Sequence, residues 1–185
     1  MSGGGGGISA TIYNMGIEEV ATIIDLIADG LEDACAKCLE DNADFILLLI
    51  KEQLYSGQNG KGQYLDPNYR NDSFFDQEGR WYHKAEEYER WKYEITPPIA
   101  SRVLGLPPRP KEVPNLYING KFYGEINAYL RGHTLEIDPG GGNGIEIVDK
   151  WGEDILTMGE QAKEFFNAHY MLPAIDEFFK RCGYQ

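Results

Sequence analysis

Between Glu18 and Tyr55 the chain carries no proline and a single glycine, Gly30. Over the same stretch Val20, Ile24, Ile27, Leu31, Ala34, Cys38, Phe45 and Leu49 recur at spacings dominated by three, four and seven, which places them on one face of an α-helix. Unbroken, such a helix would run about 57 Å at about 1.5 Å per residue, longer than a small domain is wide. A small core cannot bury an apolar stripe of that length, so part of it must protrude or meet another molecule. Gly30 and the pair Asp41-Asn42 are the weak points at which the run could divide into two helices. The candidates for contact with a second copy or a partner are Ile24, Ile27, Leu31, Phe45 and Leu49.

Charge is concentrated on the same segment. The chain has 17 Lys and Arg against 30 Asp and Glu, a formal net charge of −13, and the stretch from Glu18 to Glu52 alone holds ten carboxylates against Lys37 and Lys51. Glu32, Asp33, Glu40 and Asp41 form its candidate acidic face. Such a surface is wrong for gripping phosphate, which takes clustered Lys and Arg, so specific nucleic-acid binding is not expected. No apolar run approaches the roughly 18 to 20 residues of a membrane span, and the glycine-rich start lacks the basic and apolar regions of a secretory signal. The expectation is a soluble chain with a flexible leader at 1–17 and a single domain at 18–185.

Ser56-Gly57 and the glycines after it end the helical run. Residues 64–114 form an insert rich in aromatic residues and proline. Within it Tyr64 to Phe75 reads as an ordered irregular loop, and Lys84 to Ile95 as a short helix stopped by Thr96-Pro97-Pro98. Val103, Leu104 and Leu106 should lie against the core. Asn119-Gly120 fits either a hairpin turn or the cap of one helical turn through Phe122, Tyr123 and Ile126. Farther on, Tyr129, Thr134, Leu135, Ile137, Ile145, Ile147 and Val148 favour strands separated by Arg131-Gly132-His133 and by the glycine run before Ile145, which predicts a three-stranded antiparallel sheet. The closing region, punctuated by Pro173, predicts two helices meeting near Met171 and Leu172. Phe165, Phe166, Leu172, Ile175, Phe178 and Phe179 should lock these helices onto the sheet. The fold class is α+β: a long N-terminal helix packed on a small antiparallel sheet, with C-terminal helices.

Catalytic patterns are not legible. Cys35-x-x-Cys38 is one arm of a zinc site without a second, and at i and i+3 on an apolar helix face the two cysteines read better as small core residues. His83, His133 and His169 lie in three separate elements, and none has the spacing of a ligand pair. The run Asp138 to Gly144 lacks Gly-Lys-Ser/Thr, and between two strand-like segments it reads as a hairpin tip instead of a phosphate cradle. Glu86, Glu87, Glu89 and Glu94 share their helix with Arg90 and Lys92, the pattern of a solvated face with local ion pairs. No catalytic residue, metal site or cofactor is therefore assigned.

The segment Asn119-Gly120-Lys121-Phe122-Tyr123-Gly124-Glu125-Ile126 is followed by strand-like stretches at Asn127 to Asp138 and Ile145 to Asp149. Lys150-Trp151-Gly152, Glu164-Phe165-Phe166 and Leu172-Pro173-Ala174-Ile175 come next. In this order the chain resembles the tail-completion, or head–tail joining, proteins at the neck of tailed bacteriophages. Gln53-Leu54-Tyr55-x-Gly57 and the tyrosine-rich loop look like phage proteins of gut Bacteroidales. Asn119 stands where the family has Thr, and the insert is longer than the family's usual connection. The resemblance implies a non-enzymatic virion protein, assembled in the host cytoplasm as a homo-oligomeric ring that contacts neighbouring portal, connector or tail proteins. The alternative is an acidic inhibitor that mimics DNA charge and blocks a nucleic-acid enzyme, or another intracellular protein-binding module.

Overall fold

The computed structural model describes residues 16–184, so most of the glycine-rich leader lies outside it. Helix α1 spans Ile17–Asp41 and α2 spans Ala43–Tyr55, so the predicted helical run does divide at the Asp41-Asn42 pair. Asn42 leaves helical geometry at φ −117°, and its side-chain amide turns back to donate to the Cys38 carbonyl at 2.8 Å. That bond satisfies one of the carbonyls a helix end leaves open. Helix α2 is the centre of the core. Ile46, Leu47, Leu49, Ile50 and Leu54 are all buried, in company with Leu65, Val113, Phe122, Ile126, Ile155 and Phe166.

Two adjacent polar residues of α2 tie distant segments to it. Glu52 accepts hydrogen bonds from the Ser101 hydroxyl and the Val103 N–H, which holds the proline-rich stretch against the helix. Leu106 is buried in that stretch and Val103 and Leu104 pack on the core, as expected. Buried Gln53 donates to the Thr157 carbonyl at 3.1 Å and accepts from the Gly159 N–H at 2.7 Å, anchoring the entry to the C-terminal helices. At the end of α2, Gly57 has φ 71°, and a Cβ there would meet Val113 Cγ1 at 2.5 Å. Only glycine meets both demands.

The insert holds a 3₁₀ turn at Ser73–Asp76 and helix α3 at Ala85–Ile95. Helix α4, Lys121–Glu125, settles the Asn119-Gly120 ambiguity in favour of a helical turn: Gly120 sits at φ 79°, and the Asn119 carboxamide accepts from the Lys121 N–H at 3.1 Å. Strands β1 (Asn127–Arg131) and β2 (Thr134–Asp138) form an antiparallel hairpin in which Arg131 pairs with Thr134 across Gly132-His133. Ala128, Leu135 and Ile137 pack on the core, and both strands contact α1.

A third strand does not form. Ile145, Ile147 and Val148 belong to helix α5, Gly142–Trp151, so the sheet among the described residues has two strands. The glycine run is accordingly a strand-to-helix turn and not a hairpin tip. Gly140, at φ 83°, receives the α4 end so closely that a Cβ would meet Glu125 Cβ at 2.6 Å, and one on Gly144 would strike the Pro139 carbonyl oxygen at 2.0 Å. A 3₁₀ turn at Glu153–Leu156 leads to α6, Glu160–Phe166. Here a π-helical turn, Asn167–Met171, runs into α7, Leu172–Arg181, with helical backbone angles at each junction. The two expected helices are thus one helical course with a π turn just ahead of Pro173, where a wider turn accommodates the residue that cannot donate.

Candidate functional site

The first turns of α1 extend past the core. Ile17, Val20 and Ile24 share one stripe, and Ile17 and Ile24 remain 90% and 59% exposed. Farther along the same stripe Ile27 and Leu31 become half-buried as α1 packs on α7 and the hairpin. Among the described residues the stripe therefore begins exposed and ends covered. Of the five predicted contact residues, Ile24 is exposed and Ile27, Leu31 and Phe45 are half-buried. Leu49 is completely buried. Phe45 packs its ring against Tyr170 at 4.7 Å and Phe165 at 6.0 Å. Both belong to α2, whose turn at Asn42 carries them off the α1 stripe and into the core.

The acidic face is exposed but partly engaged. His133, at the hairpin tip, places Nε2 2.9 Å from Asp33 and Nδ1 3.3 Å from Glu32, latching the hairpin to α1. Asp41 pairs with Lys37 at 2.8 Å, and Glu40 stays open to solvent. The predicted C-terminal packing residues divide. Phe166 is buried and stacks with Tyr170 at 5.4 Å, and Phe165, Ile175 and Phe178 are half-buried. Their partners are helices: Phe165 meets Phe45, and Phe178 lies over Gly30 of α1. The expected lock onto the sheet is a lock onto α1 and α2 instead, because the hairpin is too small to offer a second face. Leu172, 60% exposed, takes no part in it.

Beneath the insert lies a polar cluster that the charge pattern of α3 conceals. Lys92 was expected on a solvated face, yet it is 1% exposed. Its ammonium donates to the Asn115 side-chain oxygen at 3.0 Å and to the Tyr117 carbonyl. Arg109, equally buried, donates to the Thr96 carbonyl at 2.7 Å, while its Nε and Nη1 have no hydrogen-bond partner. Burial and the nearby Arg109 charge lower the Lys92 pKa to about 7. Burial also raises Tyr88 to about 12 and holds Tyr69 and Tyr123 well above the ordinary tyrosine value. Desolvation penalises every charged form here, and the oxygens that accept from Lys92 are neutral.

This cluster forms the floor of a pocket of about 230 Å³ between α3 and α5, with Phe74, Tyr88, Ile118 and Trp151 among its walls and the Lys150–Asp72 pair at 2.5 Å on its edge. A larger open groove of about 670 Å³ runs between the hairpin and α2, lined by Leu39, Ile50, Leu135 and Met158. Its titratable lining residues His133, Glu153 and Lys163 are exposed or edge groups that do not converge. Among the described residues no group of three or more His, Cys, Asp or Glu is placed to hold a metal ion, and Cys35, Cys38 and Cys182 are free thiols. No helix of the described residues is long and apolar enough to cross a membrane. Comparison with protein-family models, curated proteins and solved structures gives no match for this chain.

Proposed function

We propose that the protein is a non-enzymatic structural component of a tailed-phage virion, a ring-forming subunit at the neck that serves head–tail connection or tail completion. The observation that carries this reading is the apolar start of α1, where Ile17, Val20 and Ile24 stand exposed on one stripe that no other described residue covers. A row of large aliphatic side chains in line on a helix marks a contact surface, and a head-to-tail contact repeated from copy to copy makes a ring when its rotation closes. The sequence resemblance to neck proteins supplies the setting: assembly in the host cytoplasm, against portal, connector or tail proteins.

The acidic face fits a place near a passing genome. Glu32, Asp33, Glu40 and Asp41 would repel phosphate over about a Debye length, ~8 Å at physiological salt. The same excess of carboxylates favours the second reading, a DNA-mimicking inhibitor. The two separate in one experiment. Purified protein examined by electron microscopy forms closed rings on the neck reading, whereas an inhibitor remains a small particle and depletes a nucleic-acid enzyme from solution by binding it.

A further inference from the structure

We propose that the pocket between α3 and α5 is the acceptor site for the first turns of α1 from a second copy of this chain, so that subunits join head to tail. This rests on the ring-forming reading and names the surface that completes it. Three observations carry it.

The first is electrostatic. Ten carboxylates face two lysines between Glu18 and Glu52, whereas residues 56–125 hold ten acidic and ten basic residues and are neutral. Pairing α1 with α1 across a two-fold axis would press two strongly acidic helices together. Docking α1 on the insert of the next copy avoids that repulsion. The larger groove beside α2 is a poorer acceptor, since its walls come from the acidic parts of the chain and it opens beside Glu32, Asp33 and Glu153.

The second is the character of the pocket. Phe74 and Ile118 on its rim are 44% and 56% exposed, and its volume of about 230 Å³ falls below the roughly 300–1,000 Å³ of small-molecule sites. Aliphatic side chains such as Ile17, Val20 and Ile24 fit such a recess. The third is the charge of its lining, two lysines against the single carboxylate of Asp72. Lys92 is held only by neutral oxygens, and Lys150 on the edge shares its charge with Asp72. The arriving helix brings Glu18 and Glu19 beside its apolar stripe, and these offset the positive charge that Asp72 leaves unbalanced.

A head-to-tail contact has a signature that no symmetric contact shares. A donor variant, Val20→Asn with Ile24→Asn, keeps the pocket and loses the arm. An acceptor variant, Phe74→Glu with Ile118→Glu, keeps the arm and loses the pocket. All four positions are exposed, so circular dichroism should stay at the wild-type spectrum; if the acceptor pair loses it, Ile118→Glu alone repeats that arm of the experiment. Sedimentation velocity at matched concentration is expected to show rings for the wild type and monomers for each variant alone. An equimolar mixture should give dimers and nothing larger, since one good arm meets one good pocket. Wild-type rings together with an acceptor variant that still forms rings would overturn this proposal and leave the ring reading standing. A wild type that stays monomeric at every concentration overturns both.

Discussion

Lys92 shows how a single residue can carry a measurable cost. In an unfolded chain a lysine stays charged to about pH 10.4. In the fold burial brings Lys92 down to about 7, so between these values folding releases a proton. Raising the pH through that window therefore stabilises the protein, and lowering it toward 7 removes the gain. The slope should approach about 1.4 kcal/mol per pH unit. Urea unfolding at pH 7, 8 and 9.5 is expected to show this climb in the wild type and to lose it in Lys92→Met; an identical pH dependence in the two proteins would show that Lys92 is not held charged-poor in the fold. Phe166 gives a simpler expectation at the same scale. It is buried and stacked on Tyr170, and Phe166→Ala should cost about 3 to 5 kcal/mol in the same measurement.

At the scale of elements, glycines report which structure the chain has chosen. A Cβ on Gly144 would strike the Pro139 carbonyl, whereas one on Gly142, in the first turn of α5, meets nothing within 4 Å. Gly144→Ala should therefore destabilise by about 1 to 3 kcal/mol. Gly142→Ala should be neutral or stabilise by up to about 1 kcal/mol, since alanine favours the helix and narrows the unfolded ensemble. Thermal melts of both decide it; a large loss at Gly142 would argue against α5. The sequence pattern misread this element because Ile145 and Ile147 alternate and Val148 is β-branched, while the glycine run in front supplies no cap residue. By contrast, the α1–α2 division was legible in Asp41-Asn42, α3 in its spacing of Tyr88, Trp91 and Ile95, and the hairpin in Arg131-Gly132-His133. These signals are local. What makes Lys92 buried is not local: its cover comes from Asn115 and Tyr117, more than twenty positions away, while Glu89, Arg90 and Glu94 around it look solvated. The burial of Leu49 and the packing of half-buried Phe45 on the C-terminal helices escaped detection for the same reason, since one residue at Asn42 redirects the whole α2 stripe.

The whole molecule combines an acidic flank, an exposed apolar helix start and an aromatic insert of nearly balanced charge. Replacing Glu32, Asp33, Glu40 and Asp41 with Lys changes the local charge by eight without touching the Ile17–Val20–Ile24 stripe. This variant is expected still to assemble but to bind duplex DNA in a salt-sensitive way, read by fluorescence anisotropy between about 50 and 200 mM salt, the range over which phosphate contacts weaken. Wild-type protein should not bind under the same conditions. The central claim, that α1 builds a ring, is tested most directly by electron microscopy and native mass spectrometry of the purified wild type beside Val20→Asn/Ile24→Asn. Closed rings of one copy number in the wild type, absent from the variant, are the predicted result; a wild type found only as the 20.9 kDa monomer, or a variant that forms the same rings, would contradict it.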